Sequence, residues 1–333
     1  MRRYTMIALF SVVIVVLCIV LVTGINASRL PWQWPRSAGR ETMTQSFEFA
    51  AEDVQNMNMR LTFHDVRIIP GEADTVRIEE WSDQPLSDPI RLRCQLAGGT
   101  LEADTLSGGT GCSFFGQHPR VQIVVAVPPK SGLAVQAWTG AGDLDVQDVR
   151  LGDISLSTGA GDIVLSDTEA GGSVLHTSAG DIDVLAGTRL QSMDSSSAAG
   201  SVDVEAEVNN QAVLSSASGD VRFIGSCRSF DASTGAGNVD GSFERVKSVK
   251  ATSSAGDVDL LMQKNTGVRE IFADSGVGDI SVGLPAGSRI QLKESRGLGD
   301  LELENKAGFE ITSEDAILLD LHASAGDIEL FSS

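Results

Sequence analysis

Between residues 139 and 330 the chain repeats one short pattern of apolar and polar positions ten times. Each copy has small or hydroxyl residues, a Gly, usually an Asp, and then two aliphatic positions with one residue between them. The position two after the Gly is aliphatic in all ten copies, and the residue that follows it is acidic in seven. Such alternation is typical of a half-buried β-strand, with one row of side chains in a core and the next in water.

The ten copies follow each other at a nearly constant distance. The anchoring glycines are 18 to 22 residues apart, except for the last interval of 27 residues. They are Gly142, Gly161, Gly180, Gly200, Gly219, Gly237, Gly256, Gly278, Gly299 and Gly326. A period near 19 residues indicates stacked solenoid units. A second, looser alternation in each unit, for example at 153–156 and 270–273, predicts two short strands per unit with a Gly-rich corner between them.

These patterns predict an all-β fold. We expect a parallel β-helix, or β-solenoid, of about ten regular coils over residues 136–333, and a stack of antiparallel β-hairpins with the same period is the alternative. Residues 44–135 contain strand-like segments without the regular pattern. Solenoids need an atypical end unit to cover the first apolar coil, so we expect this region to form an irregular N-terminal β cap.

The N-terminal segment predicts a membrane anchor. Residues 1–5 form a short tail with Arg2 and Arg3, and residues 6–25 carry no charge. A helix of about 20 residues spans about 30 Å, the hydrocarbon core of a bilayer. We predict an uncleaved transmembrane signal anchor, with a removed signal peptide as the alternative. Residues 26–43 would form a stalk, whose Trp32 and Trp34 suit either a membrane interface or packing on the first coil. The body is then expected outside the cell membrane, held by a single pass.

The net charge of −20 is concentrated in the repeats. Residues 1–135 carry a net charge of −1, and residues 136–333 carry −19. An acidic solenoid repels nucleic acid and anionic lipid headgroups, so neither is an expected partner. Cysteine is sparse: Cys94 and Cys112 could form a disulfide in an oxidising compartment or remain thiols. The cysteine spacings match no zinc pattern.

Eight of the ten copies place an Asp directly after the Gly. These residues are Asp143, Asp162, Asp181, Asp220, Asp257, Asp279, Asp300 and Asp327. In a solenoid they would stack into a column of like charges, and something should offset their repulsion. Each Asp could accept backbone N–H groups at the neighbouring corner, which Ser201 and Asn238 at the two departures could also do. The alternative is a calcium ladder, although the nine-residue repeat of calcium-binding β-rolls is missing.

Candidate catalytic groups are not set apart from the repeats. A Ser or Thr lies three residues before the Gly in eight copies, at Thr139, Thr158, Thr177, Ser197, Ser216, Thr234, Ser253 and Ser275. A nucleophile would need one of these hydroxyls beside a base, and the four His residues are scattered without a signature. No single carboxylate pair stands out. We expect a non-enzymatic protein without a cofactor, with a polysaccharide-cleaving β-helix as a minor alternative.

Three features of the chain recur together elsewhere: FHDVRIIPGEADTVRIEEW (63–81), VQIVVAVPP (121–129) and the serial T-x-A-G-D-[ILV]-x-[ILV] pattern, which cover roughly residues 45–330. In these features the sequence resembles a bacterial family of β-strand-repeat proteins described as adhesins and otherwise of unknown function. The resemblance implies a β-solenoid displayed at the cell envelope, with no catalytic residues to carry over. We expect a membrane-anchored, adhesin-like surface for an unknown protein or glycan. The alternative is an envelope sensor or scaffold that acts through a membrane partner.

Overall fold

The computed structural model describes residues 41–105, 119–264, 266–298, 300–303, 309–312 and 316–332. These residues form 27 β-strands and two short 3-10 helices, at Ala51–Asp53 and Asp88–Ile90. The all-β prediction is therefore confirmed. The predicted anchor at 6–25, most of the stalk and Cys112 lie outside the described residues. No helix within the described ranges is long and apolar enough to cross a membrane.

The described residues before the repeats, 41–105 and 119–133, form seven strands. They are β1 (Thr42–Ala50), β2 (Asn56–Leu61), β3 (Asp65–Pro70), β4 (Thr75–Ser82), β5 (Leu92–Ala97), β6 (Thr100–Thr105) and β7 (Val121–Val127). Three pairings here are antiparallel: β1 with β4, β4 with β7, and β5 with β6. Strands β2 and β3 instead run parallel to their neighbours and form a coil of their own. This region is thus continuous with the solenoid.

The repeats form two parallel sheets that meet at the Gly-rich corners. Their strands are β8 (Ala134–Thr139), β9 (Leu144–Gln147), β10 (Ile154–Thr158), β11 (Ile163–Ser166), β12 (Glu169–Ala179), β13 (Ile182–Ala199), β14 (Val202–Val208), β15 (Gln211–Ser218), β16 (Val221–Ser226), β17 (Ser229–Ala236), β18 (Val239–Arg245), β19 (Ser248–Ser253), β20 (Val258–Met262), β21 (Glu270–Ser275) and β22 (Ile280–Leu284).

Sheet one stacks β8, β10, β12, the second half of β13, β15, β17, β19 and β21. Sheet two stacks β9, β11, the start of β13, β14, β16, β18, β20 and β22. All of these pairings are parallel, so the β-solenoid is confirmed and the antiparallel hairpin alternative does not apply to the repeats.

The core consists of apolar columns that run through the stacked coils. The aliphatic residue two after the Gly is at most 1% exposed in nine copies, from Leu144 to Ile328. Burying one such side chain contributes about 1.5–3 kcal/mol. A second apolar column lies four residues after the corner Gly, and Gly241 interrupts it. The Phe243 ring fills the space that a side chain at Gly241 would occupy. The Phe243 ring also packs 5.6 Å from Phe223 and 5.0 Å from Phe230, centroid to centroid.

At both ends the order of the coils in space differs from their order along the chain. The last strands are β23 (Arg289–Leu298), β24 (Leu301–Leu303), β25 (Glu310–Ile311), β26 (Ile317–Ala325) and β27 (Ile328–Ser332). Strand β26 lies between β21 and β23, and β27 lies between β22 and β24. The final coil therefore inserts between the two coils that precede it. The first coil is enclosed in the same way, because β2 lies between β6 and β8.

Candidate functional surface at the glycine corner

The Gly of the repeat makes the corner between the two sheets, as Gly180 illustrates. Its φ angle is +151°, a conformation that residues with a side chain rarely adopt. A Cβ atom at Gly180 would overlap the carbonyl oxygen of Gly161 in the preceding coil. The corner therefore requires Gly for two reasons, the backbone angle and the close approach of successive coils.

The eight hydroxyl residues identified from the sequence all support this corner. Each is buried, at most 5% exposed, and donates a hydrogen bond of 2.8–3.2 Å to a backbone carbonyl of the preceding coil. For Thr177 the acceptor is Gly161 O, at 3.0 Å. For Thr139, in the first repeat, the acceptor is His64 O. These hydroxyls therefore satisfy carbonyl groups that the tight corner leaves unpaired within the sheet ladders.

The Asp residues after the Gly form a column that we call the corner column. The Oδ1 atom of one Asp accepts the backbone N–H at the same position in the next coil, as in the 2.8 Å bond from Asp181 N to Asp162 Oδ1. Seven of the eight predicted Asp residues accept such a bond, at 2.7–2.9 Å: Asp143, Asp162, Asp181, Asp220, Asp257, Asp279 and Asp327. The eighth, Asp300, lies in the outermost coil.

The two departures from Asp behave differently from each other. Asn238 Oδ1 accepts the Asp257 amide at 2.9 Å, so it replaces Asp as an acceptor. Among the described residues, no hydrogen bond joins Ser201 to the Asp220 amide. The predicted acceptor role is thus confirmed for Asp and Asn but not for Ser201, whose side chain is shorter.

The corner column begins with Asp65, a residue that the sequence pattern did not select. Asp65 Oδ1 accepts the Asp143 amide at 3.0 Å, and His64 takes the place of the Gly. Burial is the main cause that raises the pKa of Asp65 to about 6. Burial also lowers the pKa of His64, whose Nε2 lies 3.2 Å from Ile90 O. The run from Asp65 to Ile68 has the spacing of the repeat, and this was the signal that could have identified it.

A second acidic column, the face column, lies two residues beyond the corner position on the outer face of sheet two. It contains Asp183, Asp203, Asp240 and Asp259, all partly exposed or exposed, and Arg222 occupies the same position between Asp203 and Asp240. We also expected Asp145 to face water, and this expectation was wrong, because Asp145 is only 3% exposed. Arg67, with Nε 3.5 Å from Asp145 Oδ2, and Gln147, whose Nε2 donates to that oxygen at 2.8 Å, cover it.

The face column has few positive partners. Asp203 pairs with Arg222, with Oδ2 and Nη1 3.2 Å apart. Burial, followed by the charges of Asp181, Asp203 and Asp162, raises the pKa of Asp183 to about 6. Burial and neighbouring carboxylates also raise the pKa values of Asp162, Asp240 and Asp259. Asp183, Asp240 and Asp259 therefore bind protons more readily than an ordinary Asp carboxylate does.

The described residues contain no group of three or more His, Cys, Asp or Glu side chains arranged to hold a metal ion. The calcium ladder remains a prediction to be tested. His176 lies on the outer face of sheet one, where its Nδ1 is 2.9 Å from Ser196 Oγ. Burial raises the pKa of both described thiols, Cys94 and Cys227, to about 12. The Cys94–Cys112 pairing is not described, because Cys112 lies outside the described ranges.

The outer face of sheet one carries a hydroxyl column that the sequence analysis did not single out. Its members occupy equivalent positions in successive strands and are Ser157, Ser196, Ser215, Ser233 and Thr252, with His176 between the first two. The two columns thus present different chemistry: carboxylates in the face column of sheet two and mostly neutral hydroxyls in the hydroxyl column of sheet one. Both columns run along successive coils.

Comparisons with known proteins place this geometry in context. The sequence profile of the Toastrack DUF4097 family matches residues 54–330. No curated protein sequence matches the chain. A solved structure of a "putative adhesin" from Parabacteroides merdae is 11% identical, with 88% of this chain and 97% of that chain covered and a TM-score of 0.40. A "putative lipid binding protein" from Parabacteroides distasonis is 12% identical, with coverages of 88% and 97% and a TM-score of 0.42.

Proposed function

The chain belongs to the Toastrack DUF4097 family, and on that premise we propose that it is a non-enzymatic, membrane-anchored β-solenoid that displays an adhesin-like interaction surface. Residues 6–25 act as the single-pass anchor, and the body from residue 41 onward lies outside the cell membrane. The partner is a protein or glycan of the envelope exterior.

The observation that carries this proposal is the recurrence of the same outward groups from coil to coil. Sheet two repeats carboxylates such as Asp183 and Asp203, and sheet one repeats hydroxyls such as Ser215 and Ser233. Solenoids use such extended surfaces for binding, and repeated weak contacts add to a strong one when they engage together. A catalytic site instead requires unlike groups brought together at one place.

Protease treatment of intact cells tests the topology. The full chain with a C-terminal epitope tag should lose the tag when protease is added outside, while a cytoplasmic protein stays intact. In a variant with Val15→Arg and Val16→Arg, two charges in the apolar run should abolish membrane retention, because charges at the bilayer centre are costly. The matched variant with Val15→Leu and Val16→Leu should behave as the unmodified chain. Complete protection of the tag until lysis would exclude an extracytoplasmic body.

Crosslinking on cells, followed by identification of the captured partner, tests the interaction surface. Capture of glycans or matrix proteins from outside the membrane supports the adhesin-like function. Reproducible capture of one membrane protein favours the sensor or scaffold instead.

A cleavage assay tests the enzyme alternative. If the protein cleaved polysaccharide, the unmodified chain would be active and the double variant Asp181→Ala, Asp183→Ala would lose that activity. We expect no cleavage by the unmodified chain.

A further inference from the structure

Five basic side chains at one edge of the solenoid take part in no ion pair among the described residues. Residues 136–333 have eleven described Lys and Arg side chains, and six of them pair with a carboxylate. The other five are Arg228, Arg245, Lys247, Lys264 and Arg269, and all are exposed. We call these five residues the basic edge. They fall within three consecutive coils of a protein whose net charge is −20.

Three of the five lie directly above one another. The Lys247 amide donates to Arg228 O at 3.0 Å, and the Arg269 amide donates to Lys247 O at 2.9 Å. Neighbouring coils are about 4.8 Å apart, so the backbones of these three residues follow each other along the edge at about that spacing. All three side chains carry a positive charge, and like charges on neighbouring coils repel. In the corner column a backbone amide hydrogen-bonds to each Asp carboxylate and offsets its charge. Within the described part of the chain, no hydrogen-bond acceptor plays this part for the side chains of Arg228, Lys247 and Arg269.

A groove of about 430 Å³ lies along this edge. Its walls include Arg228, Arg245 and Lys247, together with the polar side chains of Asn209 and Thr266. Arg245 is held at the wall by its Nε, which lies 3.4 Å from Ser226 Oγ. The groove therefore combines cations with amide and hydroxyl groups, which can form hydrogen bonds with the neutral polar groups of a ligand.

We propose that the basic edge binds an anionic polysaccharide that carries sulfate or carboxylate groups. The inference rests on the proposed function and names the partner class for it. Guanidinium groups bind such anions through paired N–H donors, and ammonium groups bind them as point charges. A linear row of cations fits a linear polyanion, whose successive charges engage together.

A second copy of the chain is a poorer occupant than a polysaccharide. Its acidic face could approach the basic edge, but the whole copy also carries a charge of −20. Two rigid solenoids side by side would bring these large charges within a short distance of each other and repel. A polysaccharide is a single chain, so it can lie in the groove without bringing a second solenoid of charge −20 alongside the acidic face.

The test measures binding of labelled polysaccharides to the full chain purified in detergent. Heparin serves as the sulfated probe, polygalacturonate as the carboxylated probe and dextran as the neutral control. The test variant combines Arg228→Gln, Arg245→Gln and Lys247→Gln. The matched control combines Arg150→Gln, Arg222→Gln and Lys250→Gln, which removes three exposed cations that are ion-paired elsewhere. Both variants change the net charge equally, and their thermal midpoints are compared with that of the unmodified chain.

We expect at least one anionic probe to bind, dextran not to bind, and affinity to fall as salt rises. The test variant should bind about tenfold more weakly or worse, with a shallower salt dependence, while the control stays within about twofold. If the natural partner carries sulfate groups, the protein should bind heparin more tightly than polygalacturonate. If the partner carries carboxylate groups, the protein should bind polygalacturonate more tightly. If the triple variant unfolds, the single Lys247→Gln variant gives the same comparison.

The inference is overturned if neither anionic probe binds, if both triple variants lose affinity equally, or if the test variant binds as tightly as the unmodified chain. Its failure is distinguishable from failure of the proposed function. Surface exposure of the body and capture of another external partner would leave the proposed function in place. Protection of the body from external protease would refute the proposed function, whatever the purified chain binds.

Discussion

The corner column and the face column both contain carboxylates, two residues apart along the coil, but the fold uses them differently. In the corner column, Asp162 and Asp181 each accept a backbone amide from the next coil. In the face column, Asp183 lies within a strand whose neighbouring amides pair with backbone carbonyls of adjacent strands. The comparison shows that a repeated carboxylate can be a structural acceptor at one position and a surplus surface charge at the next.

The energies of the two columns follow from this difference. Like charges about 5 Å apart in water repel by about 1 kcal/mol. A hydrogen bond to a charged group contributes about 1.5–3 kcal/mol, so the corner column gains from its carboxylates despite the repulsion. The face column has the ion pair of Asp203 with Arg222, and at Asp183 the raised pKa shows that the charged form is disfavoured, with no backbone hydrogen bond to oppose the rise. Burial also raises the pKa of Asp162 in the corner column, but there the hydrogen bond from the Asp181 amide opposes the rise.

The largest expected effect comes from breaking the corner that supports the corner column. In Gly180→Ala the new Cβ would overlap the Gly161 carbonyl oxygen. The coils must then separate, and we expect a loss of about 3 kcal/mol or more in the free energy of unfolding. The control is Gly267→Ala, which also has a positive φ, +78°, but no atom within 4 Å of the new Cβ. It should cost only about 1–2 kcal/mol. Urea denaturation measures the free energy of unfolding of both variants. An equal loss in the two variants would contradict the close approach of Gly180 to the Gly161 carbonyl oxygen.

The second prediction separates the two columns directly. Asp181→Ala removes the acceptor of the Ser201 amide, now at 2.7 Å, and should cost about 1–3 kcal/mol. Asp181→Asn keeps an acceptor and removes a charge, as Asn238 does in the natural chain. It should be neutral or stabilising. In the face column, Asp183→Ala should also be neutral or stabilising. If the two Ala variants cost the same in urea denaturation, the proposed difference between the columns is wrong.

Much of this surface could be predicted from the sequence, because the pattern is local and repeats. The Gly, the Asp after it and the Ser or Thr before it occupy fixed positions around one corner, so the spacing alone placed them together. The role of Asp65 was not predicted, because His64 stands where the other coils have Gly. The burial of Asp145 was not predicted, because Arg67, which shields it from solvent, comes from a coil about 80 residues earlier in the chain.

The order of the terminal coils could not be derived from the pattern. Every coil presents nearly the same aliphatic column and corner, so local preferences do not distinguish Gly299 from Gly326 as the neighbour of Gly278. The structure places the Asp327 amide on Asp279 Oδ1, at 2.8 Å, and the Asp300 amide on Asp327 Oδ1. In the sequence, the irregular interval of 27 residues before Gly326 was the sign that the last coil is placed between the two coils before it.

The raised pKa of Asp183 predicts that the stability of the protein depends on pH. The pKa of Asp183 in the folded protein is about 6, above its ordinary value near 4. The folded state therefore binds this proton more tightly than the unfolded state, so stability rises as pH falls from above 6 toward 4 and declines as pH rises through 6. We expect Asp183 to contribute about 1 kcal/mol of extra stability at pH 5 relative to pH 7, after allowance for solvent screening.

Asp65, with a pKa also raised to about 6, should add to this response. Thermal unfolding at pH 5 and pH 7 measures it. Asp183→Asn should reduce the gain on acidification, while Asp231→Asn, on the outer face of sheet one and ion-paired with Lys250, should leave it in place. Stability that falls steadily from pH 7 to pH 5 would show that the face column is not a source of surplus charge.

The smallest expected effect is the response to salt and calcium. Screening weakens repulsion between exposed carboxylates, so sodium chloride should raise the thermal midpoint slightly. Calcium at the same ionic strength should do no more, because the corner Asp Oδ1 atoms already accept backbone amides. A ligand that binds only the folded state would instead raise the midpoint by mass action. Combining Asp162→Asn, Asp181→Asn and Asp220→Asn should therefore be tolerated. A calcium-specific rise in the midpoint that this triple variant abolishes would establish the calcium ladder and refute the acceptor role as the reason for these carboxylates.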